Sequence, residues 1–272
     1  MSFAPGYGET PVPDDELDAL LPSARELLGE PVTKAAVYDL EQAVQNDVAE
    51  VLLTSVLEGN LALDDVLTDY FVRELHRRLY GDIWTWAGVF RKHELNIGVA
   101  PEQIAVELRG SIETIRYRWQ HSQDWGPSVL GIATHAETVR IHPFTDGNGR
   151  TTRLLADIVF VAAQGSESPE LYDWRLDKRL YIDLLRQYDR HRMTDTATRP
   201  NWLISSARRP SGSDLVGRGR SNQEVQRWFL SAPWRGGAGA RCRSPRGESR
   251  FRPRWRATRA GMRPRSNPSP AR

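Results

Sequence analysis

Residues 141–153 read Ile-His-Pro-Phe-Thr-Asp-Gly-Asn-Gly-Arg-Thr-Thr-Arg, and they hold most of the side-chain types needed to handle a phosphate ester. Gly147-Asn148-Gly149 is a flexible stretch leading directly into the apolar run 154–163. Its backbone N–H groups can turn inward and form an anion site, reinforced by the dipole of the helix they begin. Arg150 and Arg153 lie three apart and so share one face of that helix's first turn. Cations at a helix N-terminus oppose the dipole, so an anion between them is expected. Two arginines and a nest of amides suit a polyphosphate, because a guanidinium can donate two parallel hydrogen bonds to it. Asp146 adds a carboxylate beside the same pocket, and Mg²⁺ typically combines one or two carboxylates with phosphate oxygens. His142, ending the preceding helix and held by Pro143, offers a neutral imidazole that can take a proton from an incoming hydroxyl. Together the parts describe transfer from a Mg-nucleotide to a hydroxyl acceptor, driven by positioning and charge stabilisation. The competing reading is an ordinary Gly-rich helix start with a buried His and two solvated Arg, which does not account for every specified position.

The pattern His142-Pro-Phe-x-Asp146-Gly-Asn-Gly-Arg150-x-x-Arg153 resembles the signature of Fic domains, protein AMP-transferases that move AMP from ATP to a target Ser, Thr or Tyr hydroxyl. Trp84-x-Trp86-Ala-Gly88-x-Phe-Arg91, Asn96-Ile97-Gly98 and Arg179-x-Tyr181 resemble their Fic counterparts as well. From residue 8 to 204 the chain is similar to a bacterial branch linked to mobile elements, the mobile mystery protein B group. The resemblance implies an all-α Fic fold with a small β-hairpin flap, ATP as substrate and Mg²⁺ as cofactor. It implies His142 as general base, Phe144 as the loop's anchor in the core and Asp146 as the metal ligand. Gly147, Asn148 and Gly149 would hold the α- and β-phosphates with support from Arg150, and Arg153 would meet the γ-phosphate. Tyr181 stands where an adenine-pocket residue is often found. The flap, at 88–100, would dock a target protein by strand addition.

The related Doc branch, which phosphorylates, has Lys where Gly149 stands, so Gly149 favours nucleotidyl transfer. Thr54-Ser-Val-Leu-Glu58-Gly59 is similar to an inhibitory motif of many Fic proteins, in which the Glu pairs with the signature's second Arg. Glu58 would then occupy Arg153 and hold the enzyme off, or position water for removal of AMP. The plainer reading makes Gly59 a helix cap. A bacterial toxin or regulator, restrained by an antitoxin, is the role the resemblance implies. The alternative is a catalytically silent Fic-fold accessory that binds nucleic acid through its basic tail.

The elements that must position these residues are helical. Asp14 to Leu28 reads as a short helix. Thr33 is an N-cap for a helix running to Leu57, with Ala36, Val37, Leu40, Val44, Val48, Val51 and Leu52 at three-and-four spacing, ending at Gly59-Asn60. Residues 64–80 repeat the pattern and end at Gly81. Between Trp86 and Pro101 the periodicity fails, and Val89-Phe90-Arg91 and Leu95-Asn96-Ile97 alternate around a polar centre, predicting the hairpin. Helices are expected at 102–120, 127–141, 148–164, 175–192 and 200–207. The domain is expected at 1–207, with its core at 62–204. His76 among Arg77 and Arg78 reads as structural, His93 as an exposed flap residue, and Trp84 and Trp86 as core packing.

The formal net charge of the 272-residue chain is +2, and it averages two opposites. Residues 208–272 hold 17 Arg, no Lys and 3 acidic residues, a net of +14, whereas 1–207 carry 20 basic and 32 acidic residues, a net of −12. The tail has 8 Gly and 7 Pro. That composition predicts disorder, and its charge would suit nucleic acid. The longest apolar run, Leu154 to Ala163, is broken by Asp157 and is about half of the ~20 residues a membrane helix needs. The opening residues lack a basic n-region and an apolar core, so no signal peptide is expected. Cys242 is the only cysteine, which excludes an intrachain disulfide and a Cys-based zinc site. A cytoplasmic protein is expected, with export into a host by a non-Sec route as the other course.

Overall fold

The computed structural model describes residues 14–166, 169–174 and 178–190. Its helices are α1 (Asp14–Leu17), α2 (Pro22–Leu28), α3 (Lys34–Leu57), α4 (Leu63–Val66), α5 (Asp69–Tyr80), α6 (Ile104–His121), α7 (Pro127–Ile141), α8 (Asn148–Gln164) and α9 (Lys178–Arg190). A single 3₁₀ turn, Pro101–Gln103, leads into α6. The tail at 208–272 and the helix expected at 200–207 lie outside the described residues.

α7 and α8 form the centre. From Val129 to Thr138 every residue of α7 is buried, and Thr151 to Val161 of α8 is buried except Arg153. A helix covered on all sides belongs in the middle of a bundle, and α3, α5, α6 and α9 pack around this pair. The two helices are joined by the short segment 142–147, so the residues singled out for chemistry sit at one end of the most deeply buried hairpin in the described structure. Packing on both sides holds the ends of this loop still, which is what a positioned site requires.

Local signals account for most boundaries. Thr33 Oγ1 accepts from the Ala36 N–H at 3.3 Å, capping α3 as expected, and α3 stops at Leu57 before Gly59 (φ +73°). The helix expected at 64–80 is broken in two, because Thr68 takes an extended conformation and caps α5, accepting from the Phe71 N–H at 3.1 Å. The helix expected at 14–28 is also broken. Leu20 leaves it to form an isolated antiparallel bridge with Trp84; the Leu21 N–H donates to Ile83 O at 2.8 Å and the Thr85 N–H to Ala19 O at 2.9 Å.

The hairpin expected at 88–100 is not formed as paired strands. Among the described residues this stretch has no ladder. Its stems bond elsewhere: the Arg91 N–H donates to Pro143 O at 3.0 Å and the Val99 N–H to Ile141 O at 3.2 Å. The backbone groups that would have paired with each other are thus spent at the end of α7 and just beyond it.

One buried carboxyl makes the core pH-sensitive. Asp157, on α8, accepts from Trp174 Nε1 with both oxygens, at 3.1 and 3.0 Å. Burial pushes its pKa up to about 7, against the opposing pull of Trp174, the Tyr172 backbone and Arg153. A folded-state value raised above the unfolded one near 3.8 contributes stability that is complete below that lower value and is lost as pH rises through the upper one. Asp157→Asn keeps an acceptor for Trp174. Relative to the parent it should gain roughly 2 kcal/mol between pH 5 and pH 8 in urea titrations. A pH-independent difference between the two proteins would show that Asp157 does not titrate there.

Candidate active site

α7 ends where it does because Pro143 disfavours the helical region for the residue before it. His142 accordingly turns into the left-handed region (φ 52°, ψ 62°), the only non-glycine residue among those described to do so. Its N–H still donates to Thr138 O at 3.1 Å, so the turn is attached to the helix. A side chain held there costs about 1–2 kcal/mol, and strain of this kind persists only where the surroundings enforce it. They do. Arg91 Nε donates to the His142 carbonyl at 2.8 Å, Nη1 donates to His93 O at 2.9 Å, and Nη2 donates to Val99 O. One buried guanidinium thereby closes the 91–99 loop on itself and fastens it to His142. Gly98 (φ +94°) lies so close that a Cβ there would sit 2.7 Å from the His142 Cβ.

Burial holds the His142 pKa below its ordinary value, and the nearby Arg91 charge adds to this; the Val139 carbonyl and Asp146 work in the other direction. The imidazole is therefore neutral at pH 7, with its Nδ1 buried against the protein. A neutral imidazole is the form that can accept a proton.

The next residues are pinned from two sides. Phe144 is fully buried and stacks on His76, with centroids 3.7 Å apart. Asn148 accepts from the Phe144 N–H at 2.9 Å and donates Nδ2 to the Phe144 carbonyl at 2.7 Å. The Asn148 side chain is thus committed to shaping the loop, which leaves its backbone N–H as the group it can offer an anion. His76 links three segments. Its Nδ1 accepts from the Gly88 N–H at 2.8 Å, which fixes the tautomer, so Nε2–H donates to Asp146 O at 3.0 Å. Burial lowers its pKa to about 4, which keeps the ring neutral and this pattern intact.

Gly147 (φ +73°) then starts α8 in the left-handed region. The first N–H groups of α8, from Asn148 to Arg150, precede any i−4 carbonyl of their own helix and face its start; the Thr151 N–H is the first to be taken, by Gly147 O at 3.0 Å. Gly149 is less constrained, since a Cβ there would make only ordinary contact, 3.5 Å from Arg153 Nη1. Asp146 points outward with its side chain 70% exposed, and its carboxylate lies 3.8 Å from Arg150 Nη2. A lone exposed carboxylate at the mouth of an amide cradle fits a Mg²⁺ held mainly by substrate phosphates and water. Among the described residues no cluster of three or more His, Cys, Asp or Glu could hold a metal alone.

The arginines part company. Arg150 lies over the Tyr80 ring at 5.2 Å and pairs with Glu41 of α3. Arg153 lies on the side of Tyr181, whose hydroxyl is pushed up by burial and pulled back by hydrogen bonding to Arg153. That hydroxyl is also hydrogen-bonded to His135 Nε2 at 2.9 Å. The structure thus brings together His142, Asp146, the 147–149 amides, Arg150 and Arg153, and places Tyr181 beside the last.

It does not bring Glu58 to them. Glu58 caps the C-terminus of α3, exposed, with its carboxylate accepting from Asn60 Nδ2 at 3.1 Å. Glu41, which does reach an arginine of the signature, lies 17 residues earlier on the same helix, about 25 Å away at ~1.5 Å per residue. Self-inhibition through Glu58 is therefore absent from this conformation. Glu41, and the linking roles of His76 and Arg91, were not evident from the sequence. A signal for the first existed: Glu41 and Gln45 occupy the buried stripe of α3 between Val37 and Leu52, where the helical pattern calls for apolar residues.

Residues 66–160 match the profile of the Fic/DOC family. The chain is 32% identical over 114 residues to protein adenylyltransferase fic-1 of Caenorhabditis briggsae, covering 40% of this chain and 21% of that protein. It is 34% identical over 101 residues to protein adenylyltransferase Fic of Drosophila ananassae, covering 34% and 19%. The chain thus spans about a fifth of the length of the curated relatives it matches. In fold it is similar to the N-terminal Fic domain of a Bartonella quintana cell filamentation protein, with a TM-score of 0.50, 15% identity, and coverage of 68% of this chain and 88% of that one. The helical bundle holds an amide cradle, two arginines and a neutral histidine at one loop. The family resemblance is carried by residues 66–160, which match the Fic/DOC profile.

Proposed function

We propose that this chain is a protein adenylyltransferase that transfers AMP from Mg-ATP to a Ser, Thr or Tyr hydroxyl of a target protein. The observation that carries the reading is the convergence, within one loop, of a neutral His142 and an amide cradle flanked by Arg150 and Arg153. The naming of the matched relatives as protein adenylyltransferases supports it. In this reading the target oxygen attacks the α-phosphorus, its proton passes to His142, and the bond to the β-phosphate oxygen breaks to release pyrophosphate. The amides at 147–149 and Arg150 hold the phosphates, and Arg153 meets the terminal one. Asp146 would hold Mg²⁺, whose charge would offset that of the phosphates. The 88–100 segment is the surface for the target: Val89, Leu95 and Ile97 are exposed on it, and it is fastened beside His142 through Arg91 and Val99. The resemblance to a branch linked to mobile elements supports a bacterial toxin or regulator, restrained by an antitoxin.

Incubating the chain with Mg²⁺, cell lysate and ATP labelled on the α-phosphate should label a protein band. His142→Ala should reduce the label at least ~10²-fold, the lower range for loss of a general base. A band of undiminished intensity in that variant would remove His142 from the reaction.

A further inference from the structure

We propose that Glu41, on α3 and outside the segment that matches the family profile, is a positioning residue for nucleotide binding that fixes the Arg150 guanidinium beside the phosphate cradle. The inference rests on the adenylyltransferase reading above and extends it to a helix that supplies none of the signature. Glu41 is 2% exposed. One of its oxygens accepts from Trp84 Nε1 at 2.8 Å, and the other pairs with Arg150 Nη1. Trp84 is itself held, stacked on Trp86 with centroids 5.3 Å apart. The carboxylate is thus anchored at one end by a rigid indole and presents the other to Arg150. Arg150 is further confined by the face of Tyr80. An arginine free in solution samples many rotamers and loses that freedom on binding phosphate. One already locked does not.

A buried carboxylate on a phosphate-binding arginine could instead block the site, and the geometry argues against this. Only Nη1 is engaged, and Nη2 remains on the side of Asp146. Blocking would also require withdrawal. Glu41 lies within a 24-residue helix that is seated in the core through Val37, Leu52 and Leu53. Withdrawing it would leave the Trp84 N–H and the buried end of Arg150 without their partner, and such orphaned groups are costly. A residue built into the core at both ends holds its partner and does not gate it.

Glu41→Gln keeps the shape and an acceptor for Trp84 but removes the charge. Titrating the full chain calorimetrically with a non-hydrolysable ATP analogue and Mg²⁺, the Kd should rise roughly tenfold in this variant. In an Arg150→Gln background the same change should alter Kd less than about twofold, because Glu41 acts through Arg150. Trp84→Phe, which removes the indole donor and spares the carboxylate, should weaken binding in the same direction by about threefold, and it keeps the question open to test should Glu41→Gln fold poorly. A lowered melting temperature with unchanged Kd in both variants would overturn the proposal and leave the functional reading standing. Tighter binding or faster labelling in Glu41→Gln would overturn it in favour of blocking. Failure of the unsubstituted chain to bind the analogue would remove the functional reading and the proposal with it.

Discussion

Gly147→Ala should abolish nucleotide binding and destabilise the fold. Gly147 opens α8 at φ +73°, where an L-residue costs about 1–2 kcal/mol. The space is also occupied: a Cβ built there lies 2.5 Å from two carbons of the Tyr80 ring and 2.7 Å from its oxygen. Tyr80 is 2% exposed and sits below Arg150, so it has little room to yield. Overpacking of this kind costs a further ~1–3 kcal/mol. The expected total is about 2–5 kcal/mol, measurable as a shift of the urea midpoint at constant slope. The only ways to relieve the clash are to rotate the start of α8 or to push Tyr80 against Arg150, and either moves the amides and guanidinium that face the phosphates. A loss of at least ~10²-fold in affinity for an ATP analogue is expected. Gly149→Ala is the internal control, since its Cβ meets nothing closer than 3.5 Å. If the two alanine variants bound alike, the cradle would not depend on the geometry of Gly147.

His76→Ala should be among the most destabilising single changes in the chain, although His76 touches no substrate in the proposed reaction. The ring is fully buried, stacked on Phe144 and packed near Tyr80 and Trp86. Its removal leaves a cavity, and it strands the Gly88 N–H and the Asp146 carbonyl that its two nitrogens serve. Each orphaned group costs about 1–3 kcal/mol and the cavity a comparable amount. A loss of roughly 3–5 kcal/mol is expected, or about 10 °C in melting temperature for a domain of this size. Asp146 and Gly88 would lose their common support, so labelling should fall even where the variant remains folded. Thermal unfolding followed by circular dichroism reads the first effect. A melting temperature within a few degrees of the parent would show that the two hydrogen bonds are replaced by other partners. His76→Gln, able to serve one of the two groups, should fall between.

The signature at 142–153, the helical composition and the ends of α3, α7 and α8 were legible from residue order, because each depends on neighbours a few positions away. Pro143 stops a helix locally, Thr33 caps one locally, and amides at a helix start face outward wherever that helix lies. The charge division between the acidic body and the Arg-rich tail was likewise a matter of counting. What failed were readings that depend on long-range partners. Alternation at 88–100 predicted paired strands, but the donors of Arg91 and Val99 found the carbonyls of Pro143 and Ile141, residues some 40–50 positions away. The helix at 64–80 broke because Thr68 could cap α5. The motif around Glu58 indicated a carboxylate for Arg153, yet the carboxylate that α3 brings to the signature is Glu41, about five turns earlier, and its partner is Arg150. Periodicity shows which face of α3 is buried. It does not show against what, or at which height α3 lies along α8. That is decided when Val37, Leu52 and Leu53 settle into a core shared with α8, and a shift of one helical turn would present a different side chain to Arg150. Sequence alone thus indicated the chemistry proposed here and located the loop that would carry it. Only the tertiary structure decided which carboxylate holds Arg150, which histidine braces the loop and which guanidinium ties the 91–99 segment to His142, because each of those contacts joins residues that chain order keeps far apart.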